Sequence, residues 1–82
     1  MTKYELREIG KDWESDGELL STHNSLEVAQ KQVGVEAAKR VKRVYYLRSN
    51  VYENGDIVYD YGLYNRFLKI KVVEDGDTNV YF

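Results

Sequence analysis

Apolar and polar residues alternate along much of the chain, and the alternation is interrupted at three short, similar turns. Each turn places Asp-Gly or Asn-Gly between two apolar runs, which is the strongest local signal for a β-hairpin. We expect a type I′ turn at each of them, with positive φ at both central residues. The turns are Ser15–Glu18, Glu53–Asp56 and Glu74–Asp77.

The first hairpin is predicted to pair residues 3–13 with residues 18–22. Apolar and charged residues alternate in the first of these runs, as expected for a strand with one buried face. Counting outward from the turn places Trp13 opposite Leu20, and we expect this pair to belong to the core.

A helix is predicted between the first two hairpins. Asn24 is expected to be its N-cap, because Glu27 follows three residues later in a variant of the capping box. The helix should end near residues 39–41, unless Gly34, which costs about 1 kcal/mol relative to alanine within a helix, ends it earlier. Four apolar residues recur at helical spacing and predict one buried stripe. They are Leu26, Ala29, Val33 and Ala37.

The second hairpin is predicted to join residues 44–53 to residues 56–64. A two-residue turn at Asn54-Gly55 would set the register and thereby decide which side chains share a face. One of the two faces would combine aromatic, polar and aliphatic side chains. It would carry Val44, Tyr46, Arg48, Asn50 and Tyr52 beside Ile57, Tyr59, Tyr61 and Leu63.

Two further strands are predicted at residues 67–73 and 78–82. The last one is expected at a sheet edge, where Val80, Tyr81 and Phe82 could pair with another chain. The element order β-β-α-β-β-β-β predicts an α+β fold, in which one helix packs on one face of a single, mainly antiparallel sheet. Residues 1–82 are few enough to form one domain. The sequence leaves open which face of the sheet the helix covers.

The chain contains no cysteine, which excludes a disulfide scaffold, a thiolate zinc site and a thiol nucleophile. It also lacks a glycine-rich phosphate-binding motif, so no cofactor is expected. No apolar run approaches the roughly 18 residues of a membrane-spanning helix, and the charged N-terminus does not resemble a signal peptide. These features predict a cytoplasmic protein that does not enter a membrane.

Neither of the polar groups that could support catalysis has the required arrangement. His23 and Ser21 are two positions apart on one predicted strand, where neighbours lie about 6–7 Å apart and are not expected to make contact. The acidic residues around the first turn could form an acid–base pair or bind Ca²⁺, but they lack the spacing of an EF-hand. We therefore expect a non-enzyme without a metal site, and an enzyme assembled from carboxylates and tyrosines is the least favoured alternative. The acidic residues are Asp12, Glu14, Asp16 and Glu18.

Charge is segregated along the chain, which has a net charge of −2. Four cations occupy a run of five positions near the expected end of the helix, where they could interact favourably with the helix dipole. They could instead contact an acidic protein or the phosphates of a nucleic acid, although the overall negative charge weakens the nucleic-acid interpretation. The four cations are Lys39, Arg40, Lys42 and Arg43.

Tyrosine is unusually abundant, with eight residues in a chain of 82. One helix can cover only one face of a sheet, so we expect some tyrosines of the second hairpin to be exposed. Tyrosine and arginine are enriched among the residues that dominate protein interfaces, whereas cross-strand aromatic pairs can also simply stabilise a small sheet. The candidate partner-binding residues on the sheet are Tyr46, Arg48, Tyr52, Tyr59 and Tyr61.

In size, charge segregation, tyrosine content and absence of catalytic residues, the chain resembles the small accessory proteins of bacteriophages and mobile elements. Some of those proteins inhibit host defence systems, anti-CRISPR proteins among them. The resemblance implies a location in the cytoplasm of a bacterial or infected host cell. It covers the whole chain and assigns a role to no individual residue.

The sequence thus predicts a non-enzymatic protein-binding module, one form of which is a phage-type inhibitor that occupies a surface of a host protein complex. Homodimerisation through the last strand or the tyrosine face is a special case. The alternative is a nucleic-acid-binding accessory domain, with the cations of residues 39–43 on phosphates and tyrosines stacked on bases.

Overall fold

The computed structural model describes residues 2–44 and 47–74. The elements in this part of the chain are β1 (Thr2–Ile9), β2 (Glu18–His23), α1 (Leu26–Arg40), β3 (Arg48–Val51), β4 (Ile57–Asp60) and β5 (Phe67–Glu74). The strands form one antiparallel sheet in the order β2-β1-β5-β4-β3, and α1 packs on it. The predicted α+β class and the order of the elements are confirmed. The strand predicted at residues 78–82 lies outside the described residues.

The helix covers the sheet face that carries Leu6, Tyr59 and Ile70, here named the helix face. Alternate strand residues share a face, so the inward residues of β1, β4 and β5 meet the apolar side of α1. The predicted helical stripe is confirmed, because three of its residues are fully buried and the fourth packs against them. These residues are Ala29, Val33 and Ala37, with Leu26 beside them.

The opposite side of the sheet, here named the loop face, is partly covered by residues 10–17, which connect β1 to β2. Trp13 of this connection packs edge-on against Phe67, with their ring centroids 5.0 Å apart. Ile9 and Val58 complete the apolar cluster at this contact. The sheet therefore has a small second core on the side away from the helix.

A buried lysine holds the connection against the loop face. Lys69 is only 4% exposed, and its Nζ donates hydrogen bonds to the carbonyl oxygens of Trp13 at 3.0 Å and Ser15 at 3.3 Å. Lys71, two residues further along β5, forms an ion pair of 2.9 Å with Asp16. Because a buried ammonium group is costly without hydrogen-bond acceptors, Lys69 and the connection depend on each other.

The predicted contact between Trp13 and Leu20 is wrong, because the two side chains lie on opposite faces of the sheet. β1 ends at Ile9, so the connection is longer than a two-residue turn. Gly17 closes it with a φ of 62°, and a Cβ atom at this position would overlap the carbonyl oxygen of Glu8. Leu20 follows at a bulge in the β1–β2 pairing and packs beside the helix-face core.

The turn between β3 and β4 contains three residues, 53–55, instead of the predicted two. The amide of Tyr52 donates to the carbonyl oxygen of Asp56 at 2.8 Å, and the amide of Gly55 donates to the carbonyl oxygen of Tyr52 at 2.9 Å. Gly55 has a φ of 96°, whereas no described non-glycine residue, Asn54 included, has a positive φ. A type I′ turn is therefore excluded at both described turns, and this one has glycine at the bulge position of a three-residue turn.

The longer turn shifts the β3–β4 register by one residue relative to the prediction. Val51 lies opposite Ile57, and Ser49 lies opposite Tyr59. Because successive side chains point to opposite faces, the shift moves Arg48 away from the face that Tyr59 occupies. Both strands are also shorter than predicted.

The helix begins after Ser25, which takes the N-cap role predicted for Asn24. The hydroxyl of Ser25 accepts a hydrogen bond from the amide of Val28 at 3.3 Å. Asn24 instead accepts a hydrogen bond from Lys3 Nζ at 3.0 Å. The helix continues through Gly34, which is exposed, and ends within the predicted region.

Gly34→Ala should raise the free energy of unfolding by about 0.5–1 kcal/mol, because it lowers the entropy lost on helix formation. A Cβ atom at this position would meet no other atom within 4 Å. Urea unfolding monitored by circular dichroism measures the change. Gly17→Ala is the opposite control and should destabilise the fold through the clash with Glu8. A destabilised Gly34→Ala variant would show that the helix needs glycine there.

Lys69→Met should loosen the connection at residues 10–17, because it removes both hydrogen bonds from Lys69 to the backbone. Trp13 is the only tryptophan, so its fluorescence reports the change. The emission maximum should move to longer wavelength, and quenching by acrylamide should increase. Lys71→Met, which removes the exposed ion pair alone, should change the emission much less. Equal emission from wild type and Lys69→Met would contradict this role of Lys69.

Candidate protein-binding surfaces

Tyr59 and Tyr61 lie in the core beneath the helix, where they are 6% and 2% exposed. The hydroxyl of Tyr59 accepts a hydrogen bond from Gln30 Nε2 at 3.3 Å, whereas the Tyr61 hydroxyl has no hydrogen-bond partner among the described residues. Burial raises the pKa of both phenols. This position corrects the predicted tyrosine surface, because neither ring is available to a partner while the helix is in place.

The shifted register separates the remaining members of the predicted tyrosine surface. Arg48 lies opposite Asp60 and is exposed on the loop face. Tyr52 is half-buried and packs against the second core on that face. Tyr46 lies outside the described residues. Of this group, Arg48 is therefore the described residue that stays well exposed.

Two residues of the basic run, Lys39 and Arg40, form ion pairs, and Arg40 attaches the end of the helix to the sheet. Arg40 Nε lies 2.9 Å from a carboxylate oxygen of Glu8 on β1, and Arg40 Nη1 lies 2.8 Å from a carboxylate oxygen of Glu36. Lys39 Nζ reaches the same Glu36 carboxylate at 3.2 Å, but the lysine side chain remains 62% exposed. Lys42 and Arg43 follow the end of the helix and are exposed. Arg40 is thus a structural residue, and the other three cations face solvent.

Arg40 controls the ionisation of the two acids that it joins. Its hydrogen bonds hold the pKa of Glu8 and of Glu36 below the ordinary value of 4.5, while partial burial opposes the shift. Arg66 acts on Glu8 in the same direction, through an ion pair of 3.3 Å. The pKa of Arg40 is raised in turn, mainly by its bond to Glu8. Glu8, Glu36 and Arg40 are therefore charged at neutral pH.

The single histidine contacts a serine, contrary to the prediction. Ser21 Oγ and His23 Nε2 are 2.8 Å apart, because side chains on one strand face can lean along the strand toward each other. A serine nucleophile also needs a group that orients the histidine and donors for an oxyanion. Among the described residues, neither side chain makes a second hydrogen bond. The pair alone therefore does not define a catalytic site.

The acidic residues around the first turn serve local structure. A carboxylate oxygen of Asp12 accepts a hydrogen bond from the amide of Glu14 at 3.1 Å, and Asp16 pairs with Lys71. The Lys71 hydrogen bond lowers the pKa of Asp16. Within residues 2–44 and 47–74, no three His, Cys, Asp or Glu side chains are grouped so that they could hold a metal ion.

The helix presents a second apolar stripe on the side opposite its buried one. Val28 and Val35 are each 49% exposed. They lie on the same side of the helix because the seven positions between them correspond to about two helical turns. Lys31 lies between them, and Lys39 extends the same side toward the end of the helix. We name this group of four residues the outer helix surface. The sequence signal for it is the i, i+7 pair of valines, which lies outside the predicted buried stripe.

A second exposed apolar region lies at the far edge of the sheet. All four residues of β3 are exposed, and Val51 reaches 69%. Leu47, just before the strand, is 42% exposed. Odd-numbered residues of this strand belong to the helix face, but they remain exposed there, unlike Ile57 and Tyr59 of the neighbouring β4.

Comparisons with known proteins found no relatives of this chain. No protein family, no curated protein and no solved structure matches this chain. In the part of the chain that the structure describes, no helix is long and apolar enough to cross a membrane. Inferences about function therefore rest on the surfaces described above.

Arg40→Gln should lower the free energy of unfolding by about 1–3 kcal/mol at neutral pH, because Glu8 and Glu36 lose their strongest shared partner. The two acids have depressed pKa values in the folded state. Their contribution to stability is therefore fully present above pH 4.5, the ordinary pKa of these carboxyl groups. It is lost as the pH falls through their lower pKa values in the folded state.

Acidification from about pH 7 to pH 3 should therefore destabilise wild type more than Arg40→Gln. Urea unfolding at both pH values measures the difference. Arg48→Gln, which changes an exposed arginine, is the control and should follow wild type. An equal loss of stability in wild type and Arg40→Gln would contradict the ion-pair network.

Proposed function

We propose that the protein is a non-enzymatic protein-binding module, which acts by occupying a surface of another protein with its outer helix surface. The observation that carries the proposal is the pair of half-exposed valines, Val28 and Val35, on the side of α1 that faces away from the core. A helix with exposed apolar side chains aligned on one face commonly docks that face into an apolar groove of a partner protein. The buried stripe on the opposite side fixes the orientation of this surface.

Charge indicates the chemistry of the partner. Lys31 and Lys39 border the two valines, and Lys42 follows the end of the helix. The carboxylate nearest to Lys39, that of Glu36, is already occupied by Arg40. A complementary partner would therefore have an apolar centre bordered by Asp and Glu side chains. Such complementarity raises association rates and disfavours partners of the wrong charge.

The helix is well suited to act as a rigid platform. Its N-terminus is capped by Ser25, and its C-terminal end is fixed to β1 through Arg40 and Glu8. A surface that is rigid before binding loses less conformational entropy on binding. The valines themselves make no contribution to the buried core, so they can be changed without removing core contacts.

The resemblance to phage accessory proteins implies one form of this function, an inhibitor that masks a surface of a host protein complex. The alternative, binding of nucleic acid, would use the same basic run. The pairing of Arg40 with two carboxylates weakens that alternative, because it removes one of the four cations from phosphate contact.

The experiment compares capture by immobilised wild type, by the double variant Val28→Glu/Val35→Glu, and by Leu19→Glu. Leu19 is 48% exposed on β2 and is matched to the valines in exposure. Each bait is incubated with bacterial lysate, with and without prior nuclease treatment, and bound proteins are quantified by mass spectrometry. A protein captured by wild type and by Leu19→Glu, but not by the double variant, is the expected result.

The captured protein should then be produced alone and titrated against each variant. We expect the double variant to bind about tenfold more weakly or worse, since removal of one interface anchor costs on the order of 1 kcal/mol or more. Affinity should fall as salt rises. Equal capture by all three baits, or capture that disappears on nuclease treatment, would overturn the proposal and, in the second case, favour nucleic acid.

A further inference from the structure

β3 is an edge strand of the sheet formed by the described residues. The described sheet ends at β3, so its outer backbone groups have no strand beside them in this part of the chain. Exposed edge strands can pair with other chains, and charged side chains, proline or a bulge oppose such pairing. Residues 47–51 contain one charged residue, Arg48, and no proline, and their pairing with β4 has no bulge. The short length of β3 is its main protection.

We propose that β3 pairs in antiparallel orientation with β3 of a second copy, about a two-fold axis normal to the sheet, so that one sheet continues through both copies. This inference uses a different surface from the proposed function and does not depend on it. The occupant is a second copy because residues 47–51 are complementary to themselves in one register.

Symmetry limits the possible registers. In a two-fold antiparallel pair, one residue must lie opposite its own copy, and residues on either side of it pair with each other. When Ser49 is that residue, Leu47 of each copy lies opposite Val51 of the other copy on the helix face. Arg48 then lies opposite Asn50 on the loop face, so like charges are not opposed.

The neighbouring register is less favourable. When Asn50 lies opposite its own copy, Val51 faces Ser49, and Leu47 faces Glu53 at the start of the turn. That arrangement leaves both exposed apolar side chains opposite polar ones. The register centred on Ser49 is therefore the one that buries the apolar surface of this edge.

The surroundings of β3 leave room for a second copy. Because the axis is normal to the sheet, the two helices would stand on the same side of the joint sheet, with β3 of each copy between them. A surface depression of about 540 Å³ is lined by Val51, Tyr52, Glu53 and Asn54. Leu47 of the second copy, opposite Val51, would lie beside this depression.

The joined region is small. Five residue pairs bury less surface than the roughly 1,200–2,000 Å² of a stable interface. We therefore expect a weak dimer that is populated only at high protein concentration, and a covalent reporter is the appropriate first test.

Cysteine substitution provides that reporter, because the chain has no cysteine of its own. Ser49→Cys places the two thiols directly opposite each other, where the Cα atoms of paired strands lie about 4.5–5.5 Å apart, within disulfide range. Asn50→Cys is the matched control. In the same register its two copies are about 8 Å apart, too far for a disulfide.

Both variants are oxidised mildly at high protein concentration and analysed on non-reducing gels. Ser49→Cys should form at least about tenfold more covalent dimer than Asn50→Cys. Equal cross-linking of the two variants, preferential cross-linking of Asn50→Cys, or no cross-linking of either would overturn the proposed pairing.

Sedimentation of the unmodified chain gives an independent test. Wild type should show a mass that rises with concentration, and Val51→Lys should remain a monomer. Val35→Lys, on the outer helix surface, should associate like wild type. Association that persists in Val51→Lys, or a wild type that stays monomeric at millimolar concentration, would refute the inference. The outcome is independent of the capture experiment, in which Val28 and Val35 are changed and β3 is left intact.

Discussion

The pairing of β1 with β5 is the interaction on which the rest of the structure depends. It joins residues 2–9 to residues 67–74 from almost opposite ends of the described chain, and every residue of β1 has a partner on β5. Leu6 and Ile70 of this pair form the floor of the helix-face core, and Ile9 and Phe67 form the second core. Closing so long a loop is entropically costly before any contact is gained. Folding should accordingly be slower than for a helical protein of this size.

This pairing also positions the two charged contacts that hold the covering elements. It places Glu8 where Arg40 from the helix and Arg66 from the start of β5 can both reach it. On the other face, it aligns Lys69 beneath the connection that contains Trp13. The end of the helix is therefore attached to the central strands through the partly buried Glu8, and the connection is attached through the buried Lys69. Loss of either attachment would loosen the element that covers one core.

Much of the fold could be predicted from periodicity, because periodicity is a local property. The buried stripe of α1 follows from apolar spacing, and the approximate positions of the strands follow from alternation together with the turn residues between them. The register of the second hairpin could not be predicted, because it depends on a tertiary contact. Asp56 is buried and accepts a hydrogen bond from the amide of Val72 on β5 at 2.9 Å. That bond favours the three-residue turn, while Asn54-Gly55 is compatible with turns of either length.

The same limitation explains which candidate residues changed their role. Tyr59 and Tyr61 are polar-tipped aromatic residues that suit a surface or a core equally well, and only the choice of the covered face decides between the two. Arg40 belongs to a basic run in the sequence, but its position one turn beyond Glu36 and next to Glu8 makes it a structural residue. The exposed valines of the helix could have been recognised from their spacing, which matches a helix with two apolar sides.

The placement of α1 on one side of the sheet has a consequence for how the protein could engage large targets. An axis normal to the sheet keeps both helices of a β3-linked pair on the same side, with their outer surfaces pointing in the same direction. Such a pair would be bivalent. Against a target that repeats its own subunits, two weak contacts held together in this way can strengthen binding by about 10²–10⁴ relative to one. A chain of this size could then hold a large oligomer firmly with a modest contact on each subunit.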